Sequence, residues 1–258
     1  MHGYFLKEEP EKEIKLSDLL LKLNKKPELA FEVFDIAKEH LKQKEGQSGR
    51  SDHYILLASA VKKEPSLAPE ILETIKETLK SEELKREDGS FSALLGLPDH
   101  SLSDYTNFLN SIYLSLTNVA VSEPKLASES LGLFKNVLIT SDRTPPHSLY
   151  TAYKILGETM RRRPELASEV FDVFKVALNV KENNEYSLNG AQEILDSIAE
   201  DKPELLKEVN KLKIEVDIKK TKVHLNKNNT KNAPLPSSSK SISYATDTST
   251  NSCRSNGR

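Results

Sequence analysis

Tryptophan is absent from the 258 residues, and cysteine occurs once, at Cys253. One thiol excludes an internal disulfide framework and a cysteine metal site, and it is compatible with a reducing compartment. The nine glycines are scattered, and neither GxGxxG nor GxxxxGK[ST] occurs, so no glycine-rich loop is present to cradle a phosphate. A GxSxG nucleophile elbow is missing too. The six histidines (His2, His40, His53, His100, His147, His224) show no metal-ligand spacing, and HExxH is absent. The two Asp–His neighbours, 52–53 and 99–100, cannot face each other on a helix, and Asp52 reads as a helix cap. No apolar run approaches the roughly 18 residues of a membrane span. The opening MHGYFLKEEPEKEIK lacks the apolar core of a secretory leader. These absences predict a soluble, cytoplasmic chain without a membrane span, cofactor, metal or catalytic residue, with signal-independent export left open.

What the chain does contain is charge, unevenly placed. The total is −2, yet residues 207–258 hold eleven Lys and Arg against Glu208, Glu215, Asp217 and Asp247, a net +7, which leaves −9 for the rest. An acidic body carrying a basic tail presents two surfaces of opposite sign.

The chain also repeats itself. RRRPELASEVFDVFKVAL (161–178) restates KKPELAFEVFDIAKEHL (25–41), and related segments open at Glu64, Glu123 and, in decayed form, Lys202. The prolines of these segments, Pro27, Pro65, Pro124, Pro164 and Pro203, are 38, 59, 40 and 39 residues apart. A period near 39, with one interval about twenty residues longer, is the mark of stacked helical units. Proline is favoured where a helix begins, because its missing N–H has no acceptor there. Each proline therefore predicts the start of a helix B. Its apolar face recurs at offsets +7 (Phe34, Leu72, Leu131, Phe171), +10 (Ala37, Ile75, Phe134, Phe174) and +14 (Leu41, Leu79, Leu138, Leu178). A helix A precedes each proline, with leucine at −8 in all five copies (Leu19, Leu57, Leu116, Leu156, Leu195) and tyrosine at −11 in three (Tyr54, Tyr113, Tyr153). The residue before proline is driven from the α region, so helix A should stop there. In the fifth copy Asn210 and Lys213 replace the apolar residues at +7 and +10, as suits a unit that caps a stack.

Period and hairpin layout over residues 16–213 resemble the HEAT and armadillo class. The Lys/Arg-Pro-Glu-Leu-Ala opening, in a lysine-rich chain, is also similar to helical repeat proteins of obligate intracellular bacteria such as rickettsiae. The resemblance implies an all-α fold, a right-handed α-solenoid of stacked hairpins, with a surface for binding another protein. The expected layout is an N-terminal extension (1–15), four A–B pairs plus a degenerate capping pair (16–213), and a basic, mostly disordered tail (214–258). An insertion at 81–103 contains the apolar FSALLGL and reads as a packed turn or a partner loop. Polar loops at 44–52 and 181–187 join successive pairs. In the tail, IEVDI alternates like a strand, with Ile214, Val216 and Ile218 on one side. Disorder, pairing with a partner or continuation of the helix all remain open for it.

Helix B offsets +1, +5, +8 and +12 lie opposite the apolar face and are rich in acids: Glu28, Glu32, Asp35 and Glu39, then Glu70, Glu73 and Glu77, then Glu129, then Glu165, Glu169 and Asp172. They could serve only solubility and the helix dipole, with lysines at +11 at the other end. Joined side by side, they would form an acidic face for a partner of basic character, including residues 207–231 of the same chain. The expected role is therefore a non-enzymatic scaffold or adaptor. The alternative is a nucleic-acid-associated repeat protein acting through KKTKVHLNKNNTK and Arg161–Arg162–Arg163, which the acidic body opposes.

Overall fold

Five prolines organise the molecule. The structure, a computed structural model, describes residues 16–43, 50–84, 102–140 and 144–231. The extension 1–15, most of the insertion (85–101, with FSALLGL) and residues 232–258, with Cys253, lie outside the described residues. All regular structure among the described residues is helical. Among the described residues ten α-helices fall into five pairs: α1 (Leu16–Lys25) with α2 (Ala30–Gln43), α3 (Arg50–Lys63) with α4 (Ala68–Leu84), α5 (Leu102–Ser122) with α6 (Ala127–Thr140), α7 (Pro146–Arg162) with α8 (Ala167–Asn179), and α9 (Glu185–Asp201) with α10 (Leu206–Lys231).

The elbow inside each pair has one geometry. Proline opens a three-residue 3₁₀ turn, and the α-helix begins at the fourth residue, so the expected helix start is displaced by one tight turn. The residue before proline sits at φ −130° to −139° and ψ 71° to 93°, outside the helical region, as the proline ring demands. That residue serves both helices. Its N–H donates to the carbonyl four residues back at 2.8–2.9 Å, and its carbonyl accepts from the leucine three residues on at 2.9–3.2 Å. Both backbone groups at the corner are thereby satisfied, and at Glu64 and Glu123 the carboxylate also accepts from the N–H two residues on.

Packing then proceeds between neighbouring pairs. The first helices of successive pairs touch in turn, α1 with α3, α3 with α5, α5 with α7 and α7 with α9. The second helices also touch, α2 with α4, α6 with α8 and α8 with α10. The core is built from the recurring positions: the five leucines at −8 are buried, and Tyr54, Tyr113 and Tyr153 are wholly so. Tyr113 stacks on Phe134 at 4.4 Å between ring centres, and Tyr153 meets Phe174 at 4.8 Å. In both pairs the tyrosine of one helix covers the +10 phenylalanine of the next. The second pair has Ile75 at +10, and there Tyr54 meets Phe108 of α5 edge-on at 5.7 Å. The fully buried Phe134 and Phe174 each stabilise the fold by about 1.5–3 kcal/mol.

Four expected segments change their bounds. The expected end of the helical body at 213 falls inside α10, which runs to Lys231, so residues 214–231 are helix and not the start of a disordered tail. The strand-like IEVDI has a helical explanation. Val209, Leu212 and Val216 are buried on one side of α10, whereas Ile214 and Ile218 are exposed on the other. Two opposed apolar stripes at 100° per residue alternate in sequence as a strand would. The insertion 81–103 also loses its edges, since 81–84 end α4 and 102–103 begin α5. The loops 44–52 and 181–187 shorten because α3 starts at Arg50 and α9 at Glu185. Asp52 consequently lies within the first turn of α3 and is not its cap.

Candidate protein-binding face

Ten of the eleven acids singled out above are exposed, and Glu169 is half-buried. Glu28, Glu32, Asp35 and Glu39 lie on α2 and its elbow, Glu70, Glu73 and Glu77 on α4, Glu129 on α6, and Glu165, Glu169 and Asp172 on α8 and its elbow. They do not form a uniform acidic strip. Lysines at +11 reach the acid at +5 of the next pair: Lys38 Nζ is 4.0 Å from Glu70, and Lys76 Nζ is 2.5 Å from Glu129 while also 3.0 Å from Glu73. The carboxylates of Glu129 and then Glu73 raise the Lys76 pKa above its ordinary value. Glu165 has Arg163 at 3.2 Å, and Asp172 has Lys175 at 3.5 Å. Glu28, Glu32, Asp35 and Glu77 have no such cation among the described residues. Unneutralised acid is thus concentrated on the outer side of α2, where Phe31 is also 53% exposed.

The arginine triplet is divided. Arg161 donates to Asp201 at 2.9 Å, Glu158 at 2.5 Å and Ser197 at 2.6 Å, tying α7 to α9. Arg163 is turned to Glu165, which leaves Arg162 as the exposed member. Charge available for a phosphate backbone is correspondingly reduced. Residues 206–225 lie along α8 and α9, with Lys213 2.7 Å from Asp196. The Lys213 ammonium beside Asp196 lowers that carboxyl below its ordinary range.

Two features escaped sequence reasoning. His40 Nδ1 and His53 Nε2 are 2.9 Å apart, joining α2 to α3, although thirteen residues separate them in the chain. Among the described residues no three His, Cys, Asp or Glu side chains converge as metal ligands. The second feature is a polar ladder between α3 and α5. Ser115 donates to the Tyr54 carbonyl at 2.7 Å, Asn118 to Ala58 at 3.1 Å and Ser122 to Val61 at 3.3 Å. The signal is present as polar residues at helical spacing on the buried side of α5, but the sequence alone supplies no acceptor for them. In the loop before α9, Asn183 donates to the carbonyls of Ala177, Leu178 and Val180, closing α8. The Asn183 side-chain oxygen accepts from the Tyr153 hydroxyl at 2.9 Å. Burial pushes the Tyr153 phenol far above its ordinary range, so it stays a neutral donor. Asn184 and Ser187 then cap α9 reciprocally at 3.0 Å each way.

No described helix is long and apolar enough to cross a membrane. The chain matches no family model, no curated protein and no solved structure.

Proposed function

We propose that the chain is a non-enzymatic scaffold or adaptor of the cytoplasm, a right-handed HEAT/armadillo-like α-solenoid that takes a basic protein segment on the outer side of its second helices. The observation that carries this is the exposed, unneutralised group Glu28, Glu32 and Asp35 around Phe31 on α2. Sequential contacts between like helices of neighbouring pairs support the solenoid, since stacked units present extended surfaces. Lysines that cross between pairs have already taken up Glu70, Glu73 and Glu129, so the partner's charge is met chiefly at the first pair. A lone apolar ring amid acids gives both steering and an anchor.

The test is capture from nuclease-treated lysate by the full chain and by a full-length Glu28→Lys/Glu32→Lys/Asp35→Lys variant. Proteins held by the first and lost by the second support the face. Equal capture by both, or capture abolished by nuclease, overturns it. Removal of residues 207–258 is a poor substitute, because it would uncover the apolar surfaces of α8 and α9 beneath Val209, Leu212 and Val216.

A further inference from the structure

The two ends of the molecule depart from the inner pairs in a matched way. Offset +11 is lysine in the first four pairs, Lys38, Lys76, Lys135 and Lys175, but Ile214 in α10, 61% exposed. Ile218 and Leu225 follow on the same line, 49% and 58% exposed, with Thr221 between them. This row faces away from Val209, Leu212 and Val216, which hold α10 to the body. Lys207, Lys211 and Lys222 lie beside it, with Asp217 as the exposed acid next to it, and the helix as a whole holds eight lysines against three acids, a net +5. At the other end, offset +4 is Pro69, Ser128 and Ser168 in the second to fourth pairs but Phe31 in α2. Phe31 lies one turn from both Glu28 and Asp35. Each terminal helix thus carries bulky apolar side chains where inner helices carry small or charged ones, and the two surroundings are opposite in sign.

We propose that these faces take each other: α10 of one copy docks on α2 of a second copy, and the chain assembles head to tail. The inference rests on the α2 face argued above and names its partner as another molecule of the same chain. The isoleucine row covers Phe31, and Lys207, Lys211 and Lys222 meet Glu28, Glu32 and Asp35. Charge selects this pairing over its alternatives. Two α10 helices together would oppose two cationic helices, and two α2 faces would oppose acids. A contact between different patches leaves one patch of each kind free at the ends, so the assembly grows with concentration until a ring, if the rotation allows one, closes it.

Sedimentation velocity of the full chain at rising concentration tests this. The expected result is a mass above one chain that increases with concentration. The association should weaken by roughly tenfold or more between about 0.01 M and about 1 M salt, as the screening length falls from about 30 Å to about 3 Å. Two full-length variants, Ile214→Lys/Ile218→Lys and Glu28→Lys/Glu32→Lys/Asp35→Lys, should each sediment as single chains. They should keep the parent's helix content, read by circular dichroism, because every altered side chain is exposed. Mixed, they should form a one-to-one dimer that grows no further, one supplying α2 and the other α10. Phe31→Ser, the residue of two inner pairs, should weaken assembly by about tenfold without touching charge. A parent chain that remains single at every concentration overturns the proposal, as does a mixture that fails to dimerise. Binding to phosphatidylserine vesicles that Ile214→Lys/Ile218→Lys abolishes, with no self-association, assigns α10 to a lipid surface and also overturns it. A single-chain parent that still captures a foreign basic protein through α2 ends self-assembly alone and leaves the scaffold intact. Assembly without any foreign capture supports the proposal and removes the foreign partner.

Discussion

The contact of α3 with α5 and that of α7 with α9 occupy equivalent places, yet they are built differently. Between α3 and α5, short polar side chains of one helix reach carbonyls of the other: Ser115 to Tyr54, Asn118 to Ala58, Ser122 to Val61. Between α7 and α9 the backbones close on glycine. A Cβ at Gly190 would overlap the Tyr150 ring, and one at Gly157 would overlap Ile194. At that contact the charge sits at the edge, on Arg161 and Asp201, with the Ser197 hydroxyl accepting from Arg161. Leu116 and Leu156 at −8 are buried alike in both. The repeat therefore specifies the apolar positions, while the chemistry that fits one pair to the next is particular to each joint.

The shared part should break most severely and equally. Leu116→Ala and Leu156→Ala should each cost about 2–5 kcal/mol, read by urea unfolding; a small effect at one and a large effect at the other would mean the two cores are not equivalent. Gly190→Val comes next and touches only the α7–α9 joint. Overpacking against Tyr150 should cost about 1–3 kcal/mol in the same assay, and an unchanged midpoint would show that the ring simply turns away. Asn118→Ala should cost about 1 kcal/mol at the α3–α5 joint, the ordinary worth of a hydrogen bond. Combined with Gly190→Val the two costs should add, because the altered groups share no partner; a large coupling would show that the joints communicate.

The smallest effect concerns pH. The folded Asp196 carboxyl is lowered by Lys213, so the pair's stabilisation is present above the unfolded carboxylate value of about 3.9 and is lost as pH falls through the folded one. Asp196→Asn should remove that acid-side loss from the melting profile while leaving the α3–α5 joint as it was. An identical acid limb in parent and variant would place the linkage elsewhere.

Much of this architecture was legible in the sequence. The prolines located every elbow, because ring sterics act on the preceding residue whatever the tertiary context. Leucine at −8 and tyrosine at −11 identified the core, because a stacked unit must bury the same face each time. The rest was not legible for identifiable reasons. Ile214, Val216 and Ile218 imitated a strand because α10 is apolar on two sides. Ser115 and Asn118 gave no sign of bonding to α3, since their acceptors are backbone carbonyls that no side-chain pattern reports. The acidic residues at +1, +5, +8 and +12 are exposed as expected, apart from the half-buried Glu169. Their neutralisation by Lys38 and Lys76 depends on the neighbouring pair, and so on a stacking distance the sequence does not carry.

The ladder of Ser115, Asn118 and Ser122 on α3 has a consequence for how the chain could be divided. The joint is closed by side chain and backbone on two helices, and none of those groups lies between Leu84 and Leu102. A polypeptide severed in that interval would yield two fragments, each retaining one complete side of the contact. Severance makes the contact intermolecular, so reunion depends on fragment concentration. Such fragments, expressed separately, are a natural split pair whose reunion reports proximity.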